Sequence, residues 1–334
     1  MTATHAERIA AVVRGVRVLS PTAFHVAGQR FDAPPPAAPA TEPPVIPALR
    51  DALYRFAYVQ PFTGTAPPPP APARADDDLL PALVAANPRR ARWEEGWEIA
   101  QTLPSGQVVA KRHATSRFLW PGEFVTLDGP GVPPRVGMRA SLFRPAEAQW
   151  LQPGFYYAFG DAGGDGSADR HVVRLYWSVT PEGAPALLAN LVTRLNRYGI
   201  PFRFKVLTHR SLFPRSDAAV LYVSRRYYRL SAELAMEVRA EMGASVGDDV
   251  PLFTRRIAPG VGLAEDPQTG ESFGMARCKT LAEGLWSAHG RGLADDGARM
   301  AEVAAHFGRA GIDLEHPYLN PGSPHRYEVP GHDA

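Results

Sequence analysis

The amino-acid sequence predicts an α+β fold, in which a mixed sheet carries helices on one face and follows a small β-rich subdomain and a helical, proline-rich N-terminal region. Three observations lead there. Residues 171–223 read as strand, helix, strand, strand; residues 93–145 are short apolar runs cut by glycine and proline; and two proline-rich tracts punctuate the N-terminal part. With 334 residues, 45% of them hydrophobic, the chain can bury a substantial core. The expected boundaries are 1–90, 91–150 and 151–330.

The tracts APPPAAPATEPP (33–44) and TAPPPPAPAR (65–74) lack backbone donors and are expected to be extended linkers. Between them, Leu49, Leu53, Phe56 and Ala57 fall at helical spacing, which suits a helix docking on the main body. From Trp93 the runs GWEIAQTLPSGQVVAKRH, FLWPGEFVTLDGPGVPP and GMRASLF have the turn spacing of a small, mostly antiparallel β-unit. HVVRLYWSV (171–179) is a strand, and Thr180 with Pro181 marks a helix start. Ala184, Leu187, Leu188, Leu191, Val192 and Leu195 then form one apolar stripe, which Gly199 ends. FRFKVL (202–207) and AAVLYV (218–223) are strands, and helical stripes at 231–242, 273–288 and 294–310 supply further cover.

Charge and cysteine content narrow the function classes. A net charge of +2 requires no polyanion, so nucleic acid is not an expected partner. The single cysteine, Cys278, allows no internal disulfide or cysteine-based metal site and is expected to serve packing in a reducing compartment. Glu7, Arg8, Arg14 and Arg17 interrupt the apolar N-terminus, which therefore does not read as a signal peptide, and no long apolar run predicts a membrane span. A soluble cytoplasmic protein is the expectation. There is no HExxH, no GxSxG, no GxxxxGK[ST] and no GxGxxG after a strand, so metal, serine-hydrolase and nucleotide chemistry find no motif.

One cation stands out. Among 36 Lys plus Arg, only Lys111, Lys205 and Lys279 are lysines. Only lysine can shed its proton when buried and act as a base near neutral pH. In 202–207, Phe202, Phe204 and Val206 alternate with Arg203 and Lys205; in 173–179, Val173, Leu175, Trp177 and Val179 alternate with Arg174, Tyr176 and Ser178. If each apolar face meets the long helix, Arg174, Tyr176, Arg203 and Lys205 share the open face, which is either simply hydrated or binds an anion. Paired arginines in SRRYYR (224–229) and TRRIAPG (254–260) suit a phosphate monoester, and Ser272 is a plausible N-cap of a helix carrying Arg277 and Lys279.

The blocks LYWSVTPEGAPALLANLVTRLNRYGIPFRFKVL, DAAVLYV, VPLFTRRIAPGVGLAEDP, ESFGMARCKTLAEGL and HPYLNPGS stand in the order of the Hop A effector-like family, and residues 154–323 resemble it. That family is named for a type III secretion effector and also occurs as stand-alone proteins of peptide natural-product clusters of the lanthipeptide and thioamitide type. The resemblance implies a phosphoserine/phosphothreonine lyase working with a separate aminoglycoside-phosphotransferase-like kinase, with which a heterodimer is possible. The kinase phosphorylates a ribosomally made precursor peptide, and the lyase eliminates phosphate to leave dehydroalanine or dehydrobutyrine. The layout is similar to phosphothreonine lyases. It makes Lys205 the base, with Tyr176 where those enzymes carry a histidine acid and Arg174 where they carry a lysine; His171 and His209 are spare acids. Arg174, Arg203, Tyr222, Arg255, Arg256, Ser272 and Arg277 are the expected phosphate or substrate ligands. No redox cofactor, metal or membrane is implied. The alternative is a non-catalytic protein that docks the phosphopeptide or activates the kinase.

Overall fold

The computed structural model describes residues 3–34, 42–65, 77–129, 131–162 and 171–329. Most of both proline-rich tracts lies outside the described residues. The chain opens with α1 (His5–Gly15), held by a reciprocal cap in which the Thr4 hydroxyl accepts the Glu7 amide and the Glu7 carboxylate accepts the Thr4 amide. Next come β1 (Val16–Ser20), β2 (Ala23–Val26) and β3 (Gln29–Asp32), a three-stranded antiparallel sheet. The helical N-terminal region expected from sequence therefore also contains a sheet. Its strands are only four or five residues long, and β2 and β3 do not alternate between buried and exposed positions.

After α2 (Val45–Leu53) the backbone continues into a π-helical turn, Tyr54–Tyr58, and later α3 (Leu80–Ala86). The predicted β-unit is a five-stranded antiparallel sheet of β4 (Arg92–Thr102), β5 (Val108–Arg112), β6 (Thr115–Leu119), β7 (Phe124–Thr126) and β8 (Arg139–Arg144), ordered β6-β5-β4-β8-β7. It has its own small core around Trp97, Ile99, Val108 and Leu142.

The main sheet contains β9 (Glu147–Ala148), β10 (Phe155–Phe159), β11 (Val172–Trp177), β12 (Phe202–Leu207) and β13 (Ala219–Ser224). Its last two strands are β14 (Arg255–Ala258) and β15 (Val261–Glu265). Around it are α4 (Ala184–Arg197), α5 (Tyr228–Met242), α6 (Phe273–Gly290) and α7 (Asp296–Arg309). The order is β14-β15-β11-β13-β12-β10-β9. Every pair is antiparallel, so the α+β class holds but the sheet is not mixed. The reason is topological. The β11-α4-β12 connection does run between parallel strands, but β13 inserts between them and pairs antiparallel with both.

α4 also begins later than its sequence suggests. Thr180 and Pro181 sit in a turn whose Thr180 hydroxyl accepts the Gly183 amide at 3.2 Å, and the helix starts at Ala184. Its stripe from Leu187 to Leu195 is buried as expected, at roughly 1.5–3 kcal/mol for each large side chain. Gly199, at φ +63°, ends it. α4 and α5 cover the sheet face of Leu175, Phe204 and Leu221.

The opposite face is not open. The π-helical turn and α6 roof it: Tyr58 meets Tyr176 edge-on at 6.5 Å, and Phe273 lies 6.3 Å from Tyr176. Helices therefore pack on both faces, and α1, α2 and the turn share one continuous core with the main sheet. The roof fits closely because Gly274 has no side chain: a Cβ there would fall 2.4 Å from the Tyr58 ring and 2.8 Å from Tyr54. Gly274→Ala is therefore expected to cost about 1–3 kcal/mol by overpacking, read as a lower denaturant midpoint at unchanged m-value. Among the described residues, no helix is long and apolar enough to cross a membrane.

Candidate active site

Directly opposed residues of an antiparallel pair share a face, so the register fixes the site. One row across the sheet reads Arg203, Tyr222, Arg174; the next reads Tyr157, Lys205, Val220, Tyr176. The structure thus brings Lys205, Arg203, Arg174 and Tyr222 together. The Tyr222 ring is the hub: the Arg203 guanidinium lies 4.5 Å from its centroid, that of Arg174 5.3 Å, and the Lys205 amine 6.0 Å. The Tyr222 hydroxyl makes no hydrogen bond among the described residues, and Arg203 makes neither a hydrogen bond nor an ion pair there.

Lys205 Nζ sits 4.3 Å from the Phe155 ring centroid and donates to Gln152 Oε1 at 3.0 Å. Burial is the main force lowering its pKa to about 8; Arg174, Arg215 and Arg203 push the same way, while Asp217 pulls back. Asp217, 5% exposed, accepts from Arg215 at 2.8 and 2.9 Å and from the Tyr54 hydroxyl at 3.0 Å. Burial, the largest single influence, raises its pKa, but the Arg215 charge, the hydrogen bonds from Arg215 and Tyr54 and the Lys205 charge together outweigh this and hold the carboxyl below its ordinary range. Arg174 is held by Asp266, with Nε at 2.9 Å and Nη2 at 2.6 Å from one carboxylate oxygen. Three guanidiniums and an amine thus face two carboxylates, so this patch of the sheet carries excess positive charge and suits an anion.

Other expected site residues are placed elsewhere. Tyr176 is in the core, its hydroxyl without a partner at hydrogen-bonding geometry among the described residues; burial under the roof raises its pKa, while the neighbouring Arg174 charge pulls it down. Arg277 is buried too; it donates to the Pro317 and Leu319 carbonyls at 2.7 Å each, fastening the segment after α7, and burial lowers its pKa to about 10. Arg255 donates to the Tyr327 carbonyl at 2.6 Å and lies against His325 and Tyr318, while Arg256 is exposed. Ser272 is the N-cap of α6, accepting the Met275 amide at 3.2 Å. The expected phosphate cluster of Arg255, Arg256, Ser272 and Arg277 is therefore dispersed, because two of these guanidiniums are spent on backbone carbonyls and the Ser272 hydroxyl on a cap. His171 is exposed, and the His209 ring bonds Ser211 at 3.0 Å.

Sequence reasoning missed Gln152, Tyr157, Tyr54, Arg215 and Asp217. The first lies in a loop with no motif; the Arg-x-Asp spacing of 215–217 was the only available signal. Asp313, Glu315 and His316 could bring ligand atoms within 4.8 Å of one another, but they are surface groups already paired through an Asp313–His316 contact of 3.0 Å.

Fold and site together define an α+β protein with a cationic patch on a roofed antiparallel sheet. A model of the HopA1 effector protein family matches residues 146–319, from β9 through α7 and the segment that Arg277 fastens. This is more than half of the chain, and the protein belongs to the HopA1 effector protein family. Two solved structures are similar. The effector protein from Pseudomonas syringae pv. tomato strain DC3000 is 20% identical, with a TM-score of 0.39 over 50% of this chain and 62% of that one. The effector protein from Pseudomonas syringae pv. syringae strain 61 is 13% identical, with a TM-score of 0.42 over 83% of this chain and 96% of that one. This chain thus spans less than two thirds of the first of them. Comparison with curated proteins finds no match.

Proposed function

We propose that the protein is a phosphoserine/phosphothreonine lyase that acts on a ribosomally made precursor peptide after a separate kinase has phosphorylated it. The observation that carries this is the Lys205 amine: half-buried, with its pKa lowered to about 8, and beside Arg203, which has no hydrogen-bond or ion-pair partner among the described residues. In the elimination the neutral amine takes the Cα proton, the Cα–H electron pair becomes the new Cα=Cβ bond, and the Cβ–O bond breaks to release phosphate. The departing oxygen needs a proton or compensating positive charge. Arg203 and Arg174 supply the charge, and the Tyr222 hydroxyl, which makes no hydrogen bond among the described residues, supplies a hydrogen bond in place of the sealed Tyr176.

The test is incubation of a phosphoserine or phosphothreonine peptide with the purified protein, followed by mass spectrometry. Loss of the elements of phosphoric acid is expected, whereas hydrolysis to the free hydroxyl or an unchanged peptide counts against a lyase. The reaction should also depend on pH. Because the base must be neutral, kcat/KM should rise tenfold per pH unit below about 8 and level off above it. A profile flat from pH 6 to pH 9 would exclude an amine of this pKa as the base.

A further inference from the structure

Tyr157 and Lys205 are cross-strand partners on β10 and β12, and their polar tips converge on a single atom. Gln152 Oε1 lies 2.9 Å from the Tyr157 hydroxyl and 3.0 Å from Lys205 Nζ. We propose that Gln152 is the positioning residue of this site, its side-chain carbonyl fixing the direction in which the Lys205 amine presents its lone pair. The catalytic consequence rests on the lyase function proposed above; the positioning itself does not.

The chemistry follows from the donor count. A neutral amine has two N–H groups and one lone pair, and a carbonyl oxygen can only accept. A bond to Oε1 therefore uses an N–H and turns the lone pair away from Gln152. With the Tyr157 hydroxyl on the second lone pair of Oε1, the amide is held in one orientation and its NH2 group points away from the amine. A neutral acceptor also suits a base: it orients the amine without the charge that would keep it protonated. The charged groups facing Lys205 are Asp217 and Arg215 ahead of β13, Arg174 on β11 and Arg203 on β12. Tyr157 and Tyr222 are its titratable neighbours on β10 and β13, and Tyr54 of the roof reaches it through Asp217.

Gln152→Glu and Gln152→Ala test this. The protein has three lysines, so the side-chain amine resonances can be titrated by NMR in lysine-labelled protein, with Lys205→Arg assigning the one of interest. Glutamate at this position should raise the Lys205 midpoint by about 1–3 pH units, the range for an opposite charge in contact, and the rising limb of kcat/KM should move up equally. Alanine should leave that limb near its wild-type position and lower kcat by about 10- to 100-fold at similar KM, the signature of a misdirected base. An unmoved Lys205 midpoint in Gln152→Glu overturns the proposal, as does full kcat in Gln152→Ala. Should the wild type eliminate nothing, the lyase function fails, while the titration still decides whether Gln152 holds Lys205.

Discussion

Lys205→Arg is expected to cut elimination by roughly 100- to 10,000-fold while leaving phosphopeptide binding largely intact. The substitution keeps the positive charge and much of the side chain over Phe155, but a guanidinium stays protonated near neutral pH, where the base must act. It cannot accept a Cα proton. The loss should appear in kcat with little change in KM, measured by following the dehydrated product by mass spectrometry. Binding measured in parallel on the same peptide separates the lyase from a protein that only docks a phosphopeptide or activates a kinase. A docking patch needs cations and would tolerate arginine in both assays. Wild-type turnover in Lys205→Arg would place the base elsewhere.

The alternation in 172–177 and 202–207 was enough to put Arg174, Arg203 and Lys205 on one face, and the register confirms that placement. What covers the face could not be read the same way. Helical spacing shows that 47–58 has an apolar side, but it does not say which side of a sheet more than a hundred residues later that helix will seal. Tyr176 therefore looked available and lies under Tyr58 and Phe273. Arg277 misled for a related reason. α6 is buried on most of its circumference, and the groups that hold Arg277 are backbone carbonyls, which leave no mark in a sequence. The same is true of Gln152, whose importance comes from two distances rather than from any pattern. Strand direction was lost to topology: a strand, helix, strand series reads as a parallel crossover until a third strand is known to stand between.

Asp217→Asn is expected to destabilise the fold by about 3–5 kcal/mol, the usual cost of removing one partner of a buried ion pair. The carboxylate accepts three hydrogen bonds, two from Arg215 and one from Tyr54, on both of its oxygens. Asparagine has nearly the same shape but offers one oxygen and one NH2, so at least one donor would face another donor while the Arg215 charge loses its counter-ion. The pH dependence identifies the cause. A carboxyl whose folded pKa is depressed contributes stability above its unfolded value of about 4 and loses it as pH falls through the folded value. The gap between wild type and Asp217→Asn should therefore be widest at neutral pH and close as pH drops below about 4, measured by denaturant unfolding. A gap that stays constant over that range would mean that packing, not charge, accounts for the loss. The same variant reports on the base. Asp217 pulls the Lys205 pKa upward, so its removal should shift the rising limb of kcat/KM to lower pH, opposite in sign to Gln152→Glu. Two substitutions flanking one amine that move the same titration in opposite directions can both act only through that amine.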